Sequence, residues 1–572
     1  MVSEPTIVSY VSKLISMLPP GSVKDVYVAS PHKAFVEVDR RSIDEAVAVA
    51  YWSLGGFLST MVGVDMRPRE SGFRVYYVLS IEEGISGEKL WLVIWCRVPW
   101  HDPKYPSSTP RVPAANWYER EVRDLLGIEA ENHPDPRRLV LPDDWPDGLY
   151  PLRNDFEYCE RPPGRPSRYR FMPEKVEGDG IVQVAVGPVH PLADEPAQFR
   201  LFVDGEKIVD VDYRMFFVHR GIEKLGSSKL TYNQVPFIAE RICGICGYAH
   251  ACCYCQAVEE ALGVEVPERA QYIRTVLLEV ERIHSHLLNL GLACHLAAFD
   301  WGFMELFRVR EIAMKIAEIL TGGRKTYGMN VVGGVRRDIP IDRAKKVLDM
   351  LKELKSEYLK VLDAIASNRL LQSRCENVGV LPRGVARSLS VVGPVARGSG
   401  LPRDTRYDHP YAAYRELGVK PIVESGGDVW SRLIVRAREV LQSIEIIEHA
   451  LDRMPLGPIV AEKIEPRDMV HGIGAVEAPR GEDVHFVIVR RDSRLFRWRV
   501  RASTYNNWPA IPYMSRGYTI ADFPLIVASI DPCYSCTERV IVVDVKRGLV
   551  KELSYDRIVY MCRKRGVANV DS

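Results

Sequence analysis

What this sequence lacks narrows it first. Nowhere in its 572 residues do about 18 apolar residues run together, the length a membrane-crossing helix needs. The stretch Leu90 to Cys96 is too short and reads as a buried strand, so membrane contact is expected only through partners. Charge of one sign is also missing: 76 basic and 75 acidic residues leave a formal net charge of +1, and no global field favours nucleic acid or anionic lipid. Met1 to Pro20 has neither a charged start followed by an apolar core nor a small-residue cleavage site, so export by a signal of its own is not expected. Twelve cysteines are too few for a disulfide scaffold in a chain of this size. Their occurrence as CxxC pairs points to metal or redox chemistry in a reducing cytoplasm. There is no internal repeat and no low-complexity tract.

What is present divides along the chain. Residues 1 to about 155 alternate strand-like runs (Ala34 to Val38, Arg74 to Leu79, Leu90 to Val98) with a helix-like segment from Ile43 to Val62, the pattern of a small N-terminal domain of mixed α and β structure. Residues 156–176 contain Arg161-Pro-Pro-Gly-Arg-Pro166 and read as an extended linker. Short strands follow, Ile181 to Val186 and Phe199 to Val203. Then Ile273, Val276, Leu277, Val280, Ile283 and Leu287 recur at intervals of three and four, placing one apolar face on a long helix between Pro267 and Phe299. Arg308 to Leu320, Arg343 to Ser367 and Trp430 to Leu451 repeat the pattern, which predicts a helix bundle. Strand-like text returns at Phe486 to Arg490 and Val540 to Val545. The fold class expected is α+β: a small N-terminal domain, then a mainly helical domain with peripheral β-structure.

The chemistry sits in two clusters. The first reads Arg241-Ile-Cys-Gly-Ile-Cys-Gly-Tyr-Ala-His250 and the second Asp531-Pro-Cys-Tyr-Ser-Cys-Thr-Glu-Arg539. Two CxxC pairs supply four soft donors, a complete tetrathiolate shell. Structural zinc and an iron-sulfur cluster fit that donor set as well as a redox metal does. Small zinc modules space their pairs some 15 to 20 residues apart, whereas 286 residues separate Cys246 from Cys533. Closing a flexible loop that long costs on the order of 5 kcal/mol, so a folded scaffold must bring the pairs together before metal bridges them. Cys252, Cys253 and Cys255, on the helix expected behind the first cluster, read as buried inert thiols, as do Cys96, Cys159, Cys294, Cys375 and Cys562.

The two motifs, RxCGxCxxxH and DPCxxC in that order, resemble those of nickel-iron hydrogenase large subunits. Gly187-Pro-Val-His-Pro191 with Glu195-Pro196, His219-Arg-Gly-Ile-Glu223, Gly393-Pro394 with Arg397, and Glu477-Ala-Pro-Arg-Gly481 extend the resemblance over most of residues 181–545. Within the family the chain is similar to the membrane-associated, complex I-related type. Trp117-Tyr-Glu-Arg-Glu121, Leu126-Gly-Ile128, His133-Pro134, Arg137-Arg138 and Pro151-Leu-Arg153 resemble the 30-kDa subunit of complex I. Its fusion to the catalytic part is the formate hydrogenlyase arrangement, and so is an ending in Cys536-Thr-Glu-Arg539 rather than in a histidine.

The resemblance implies a complex I 30-kDa-like domain at 1–155, a catalytic domain at 177–539 and an extension at 540–572 that a maturation endopeptidase removes after Arg539. It implies that Cys243, Cys246, Cys533 and Cys536 bind nickel, with Cys246 and Cys536 bridging to an iron that carries diatomic ligands. Heterolytic cleavage of hydrogen releases a proton, for which Glu195 is the implied first acceptor. Arg480 is the guanidinium over the open metal position, His250 orients a cluster cysteine through a hydrogen bond, Asp531 does the same from the other side, and His485 is a further candidate behind the ligands. Glu223 is implied as a ligand of a second, magnesium- or iron-type site, with an ion pair to Arg220 or Lys224 as the other reading. The implied partners are an iron-sulfur small subunit carrying all the iron-sulfur clusters, complex I-like membrane subunits, and a ferredoxin-like or formate dehydrogenase electron donor, on the inner face of the cell membrane. A non-catalytic scaffold of a quinone module shares the fold but lacks the CxxC pairs; a zinc-stabilised assembly protein is a third reading.

Overall fold

The computed structural model describes residues 7–81, 89–158, 162, 176, 178–188, 195–534, 542–544 and 549–551. Most of the expected linker, the second half of the DPCxxC motif and the cleavage position after Arg539 lie outside the described residues.

The chain is an α+β protein. Its N-terminal half is built on five strands: β1 (Val23–Ser30), β2 (Lys33–Val38), β3 (Gly56–Asp65), β4 (Gly72–Ile81) and β5 (Leu90–Pro99). Their order is β1-β2-β5-β4-β3, antiparallel except for the β2–β5 pair. The helix-like reading of Ile43 to Val62 is half right. A helix spans Ile43–Ala48 and runs on through a π turn at Val49–Ser53, but the chain then becomes β3. Gly55 takes a left-handed turn (φ 70°), and a side chain on Gly56 would come within 2.5 Å of the Ala50 carbonyl, so the helix stops where two glycines permit a reversal.

Strands β3, β4 and β5 are buried at almost every position, which explains their lack of polar alternation. One face carries the Ile7–Met17 helix through Ile7, Val11 and Leu14. The other packs Val62, Tyr76, Val78, Val93 and Trp95 against Ile473, Val484, Phe486 and Ile488 of a second sheet, strands Val470–Ala478, Gly481–Val489 and Leu495–Arg501. Edge strand β3 is closed by side chains. Alternate residues of Leu495–Arg501 donate to alternate carbonyls of β3: Arg497 Nε to Gly63 (2.9 Å), Arg499 Nε to Met61 (3.2 Å) and Arg501 Nε to Ser59 (2.6 Å). The period of two on both strands keeps this ladder in register and satisfies an edge that would otherwise be open to pairing.

The bundle forms as the periodicity predicts, from helices Glu268–Leu296, Asp300–Thr321, Ile341–Ala366 and Val429–Arg453. Helix Gly247–Leu262 lies directly on strand Val470–Ala478. A Cβ on Gly472 would meet the Ala257 carbonyl at 1.8 Å, and one on Gly474 the Cys253 carbonyl at 2.0 Å, so the two glycines bring backbone against backbone. That contact fixes the helix whose first turn follows the CxxC loop. The strand expected at Val540 to Val545 is present as Val542–Asp544, antiparallel to Leu549–Lys551. Among the described residues no helix is long and apolar enough to cross a membrane.

Candidate metal centre

The first cysteine pair occupies the loop into helix Gly247–Leu262, with Cys246 at its N-cap. Cys243 Sγ accepts from the backbone amides of Ile245 (3.4 Å) and Cys246 (3.5 Å), which stabilises negative charge on sulfur. Glu281, on the central bundle helix, caps the same first turn by accepting from Tyr248 N (2.8 Å) and Ala249 N (2.9 Å). Tyr327 Oη donates to the Cys243 carbonyl at 3.0 Å. Loop, helix and bundle are thereby tied together before any metal is considered.

The second motif arrives from helix Phe523–Ser529, which is anchored by Asn289 Nδ2 to the Ala528 carbonyl (2.9 Å) and by Arg432 Nε to Ser529 Oγ (3.0 Å). After a left-handed Asp531 (φ 54°), Cys533 N donates to Thr504 Oγ1 at 3.2 Å. Cys533 Sγ then lies 3.3 Å from Cys243 Sγ, and the sulfurs of Cys243, Cys246 and Cys533 all fall within 4.8 Å of one another, buried. A metal about 2.3 Å from each thiolate would hold tetrahedral sulfurs roughly 3.8 Å apart, so the three thiols fit one centre. Cys536 lies outside the described residues. The thiols of Cys243 and Cys533, then burial, push the Cys246 thiol well above its usual range. Three thiolates gather here only if a cation offsets them.

Arg480 reaches the same pocket. Its Nη1 is 3.9 Å from Cys243 Sγ, while Nε donates to the Asp531 carbonyl (2.8 Å) and Nη2 pairs with Asp531 Oδ1 (2.9 Å). Burial opposes its charge, but Asp531 and the three cysteines hold the guanidinium protonated. On the opposite wall, a ring nitrogen of His250, a carboxylate oxygen of Asp483 and Cys246 Sγ lie within 4.8 Å of one another. His250 and Cys246 are four residues apart, neighbours on one helix face.

Glu195 is half-buried at the approach to strand Gln198–Asp204. Glu223 is a buried ion-pair residue, held by Arg497 and Arg499. Its Oε2 accepts from Arg497 Nη1 at 2.6 Å, and its Oε1 accepts from Arg499 Nη1 (3.2 Å) and Val500 N (2.9 Å). Of the two cations expected beside it, Arg220 Nη2 donates to the Ile242 carbonyl and Lys224 Nζ to that of Arg153. Sequence reasoning missed Glu281, Asp483, Thr504 and Trp498. Glu281 had a signal, an acid four residues after Leu277, which lies on the apolar face of its helix; the other three lack one, since only the fold brings them to the cysteines.

Three family models match: respiratory-chain NADH dehydrogenase, 30 Kd subunit, over residues 36–162; nickel-dependent hydrogenase over 220–303; and respiratory-chain NADH dehydrogenase, 49 Kd subunit, over 299–471 and 467–539. Formate hydrogenlyase subunit 5 of Escherichia coli (strain K12) is 48% identical over 94% of this chain and 95% of its own. Hydrogenase-4 component G of the same organism is 45% identical over 94% of each chain. Among solved structures, a chain of the membrane-bound sulfane sulfur reductase, an archaeal respiratory membrane complex, superposes with a TM-score of 0.59 at 29% identity, over 63% of this chain and 99% of that one.

Proposed function

Because this chain belongs to the nickel-iron hydrogenase large subunits of the complex I-related group, with a 30-kDa-like domain at its N-terminus, we propose that Cys243, Cys246, Cys533 and Cys536 hold the nickel-iron centre at which it forms or consumes hydrogen. The observation that carries this reading is the meeting of three thiols from two motifs 286 residues apart in one buried pocket. When bound, that centre supplies the redox change and the place where hydrogen is made or split, with diatomic ligands on the iron.

The chain's own groups supply the rest. Arg480, always charged and held by Asp531, orients its remaining N–H groups over the sulfurs. Glu195 takes the departing proton first and passes it outward. Electrons come from an iron-sulfur small subunit, fed by a formate dehydrogenase or a ferredoxin-like donor, in an assembly docked through complex I-like subunits on the inner face of the cell membrane. A magnesium- or iron-type second site is not assigned to Glu223, whose oxygens are committed to Arg497, Arg499 and Val500 N. Maturation ends with cleavage after Arg539, and intact mass of the active protein tests that directly: retention of residues 540–572 would exclude it.

The main test joins metal analysis to hydrogen–deuterium exchange of the purified complex. Stoichiometric nickel with exchange activity is expected, and Glu195→Gln should keep the nickel and lose the exchange. Zinc in place of nickel would remove the reading; surviving exchange in the variant would remove Glu195 alone.

A further inference from the structure

Behind Cys246, two imidazoles and an indole form a chain whose hydrogens can be assigned by elimination. An indole N–H can only donate, and Trp498 Nε1 lies 3.2 Å from His485 Nδ1, so that ring nitrogen is the acceptor. His485 is completely buried, and burial followed by the neighbouring His250 pushes its imidazole well below the usual value, so the ring is neutral. A neutral imidazole that accepts on Nδ1 carries its hydrogen on Nε2. His485 Nε2 is 3.2 Å from His250 Nδ1. Two N–H groups do not face each other across that distance, so His250 Nδ1 accepts and the His250 hydrogen sits on Nε2.

The competing partner is weaker. Asp483 Oδ2 is 3.5 Å from the same His250 Nδ1, beyond the roughly 2.7–3.2 Å of a good N–H···O bond. Burial also pushes the Asp483 carboxyl up, which reduces its pull on a ring proton. His485 cannot turn freely either, with Tyr254 edge-on at 6.4 Å and Trp498 at 5.8 Å between ring centroids. What is left over is His250 Nε2: buried, without a partner among the described residues, on a side chain that has a ring nitrogen within 4.8 Å of Cys246 Sγ.

We propose that Trp498 and His485 are positioning residues which fix His250 as the Nε2–H tautomer and direct that hydrogen to Cys246 Sγ. The inference rests on the reading of Cys246 as a ligand of the nickel-iron centre. An N–H···S bond withdraws electron density from a thiolate, and groups behind a ligand tune a metal in this way. Losing the bond makes the sulfur a stronger donor, so the diatomic ligands on the iron should stretch at lower frequency.

Infrared spectroscopy of the nickel-loaded complex reads this without reference to turnover. His250→Ala should move the bands down. Trp498→Phe, which keeps a ring and loses the N–H, should move them the same way by less, because His485 is then free to change tautomer. His485→Met should resemble His250→Ala, whereas His485→Gln, whose amide can still offer an N–H to His250 Nδ1, should restore the original bands. If His250→Ala leaves the bands in place, or if both Trp498→Phe and His485→Met superimpose on the unsubstituted spectrum, the positioning chain is wrong. Should Trp498→Phe fail to take up nickel, the His485 pair decides alone, since identical bands for Met and Gln would overturn the proposal. Unsubstituted protein with neither nickel nor bands would overturn the metal reading beneath it as well.

Discussion

In the helix bundle, Arg397 binds Glu439 (2.9 Å) and Glu477 (2.7 Å), and Arg406 binds Asp404 (2.7 Å) and Glu279 (3.3 Å). Every oxygen of the four carboxylates has a partner: His286 and Thr405 complete Glu439 and Glu477, and Tyr414 and Ser443 complete Glu279. There the atoms left without a hydrogen-bond partner are the nitrogens Arg397 Nη2 and His286 Nδ1, whereas in the neighbouring thiol pocket three sulfurs crowd together and two carboxylate oxygens, Asp483 Oδ2 and Asp531 Oδ2, are buried without one among the described residues, as is His250 Nε2. Both regions are equally dry. A closed polar network holds its own geometry, whereas buried groups left open are poised for something the chain does not itself supply. The bundle, whose carboxylates are all paired, holds the pocket in place, and the pocket gathers the thiols that fit a metal.

The sharpest way to break that contrast is Cys243→Ser. If the pocket is assembled by its surroundings, the variant should lose essentially all nickel, a hundredfold or more, and still fold, with circular dichroism and melting close to those of the metal-free parent. A variant that instead unfolds would show that the cysteines and not the bundle hold this region together. The opposite substitution, Glu439→Ala, strands Arg397 and His286 in the interior. Removing one member of a buried pair typically costs about 3–5 kcal/mol, so melting should fall by many degrees and soluble yield with it, although Glu439 touches no cysteine. A neutral outcome would mean that the network is not what keeps the bundle in register.

Why one region was legible in the sequence and the other was not follows from distance along the chain. The bundle helices were read from spacings of three and four, and the thiols from CxxC, both local patterns that survive without a structure. The charges that tie those helices together were not, because Glu279, Asp404, Glu439 and Glu477 come from four segments and nothing local relates them. The same holds at the domain boundary. Arg497, Arg499 and Arg501 alternate visibly, but their acceptors are backbone carbonyls of β3, which carry no signature in sequence. Glu223 is a related case: the motif singles the side chain out, and the two arginines that pair with it come from a distant strand. Glu195 and Arg480 were also chosen from motifs. Arg480 lies against Cys243, and the relay role of Glu195 is left to the exchange assay.

Glu281 stands at the junction of the two regions and offers the gentlest test. It sits on a bundle helix, yet its carboxylate caps the turn after the CxxC loop, and burial pushes it up to about 8. An acid whose folded value lies above its unfolded one holds its proton more tightly when folded, so stability declines as pH rises from about 4.5 and levels off once pH passes about 8. At about 1.4 kcal/mol per unit the whole decline is on the order of 5 kcal/mol, an upper figure for a fully buried group. Tyr248 N and Ala249 N donate to different oxygens of Glu281, so Glu281→Gln keeps one of the two acceptors and removes the titration. The metal-free variant should therefore melt furthest below the parent near pH 5, approach it near pH 8, and show a flatter profile between. Equal slopes for the two proteins would mean that the carboxylate is already charged in the fold. Glu281 would then belong with the closed network of the bundle and not with the open pocket.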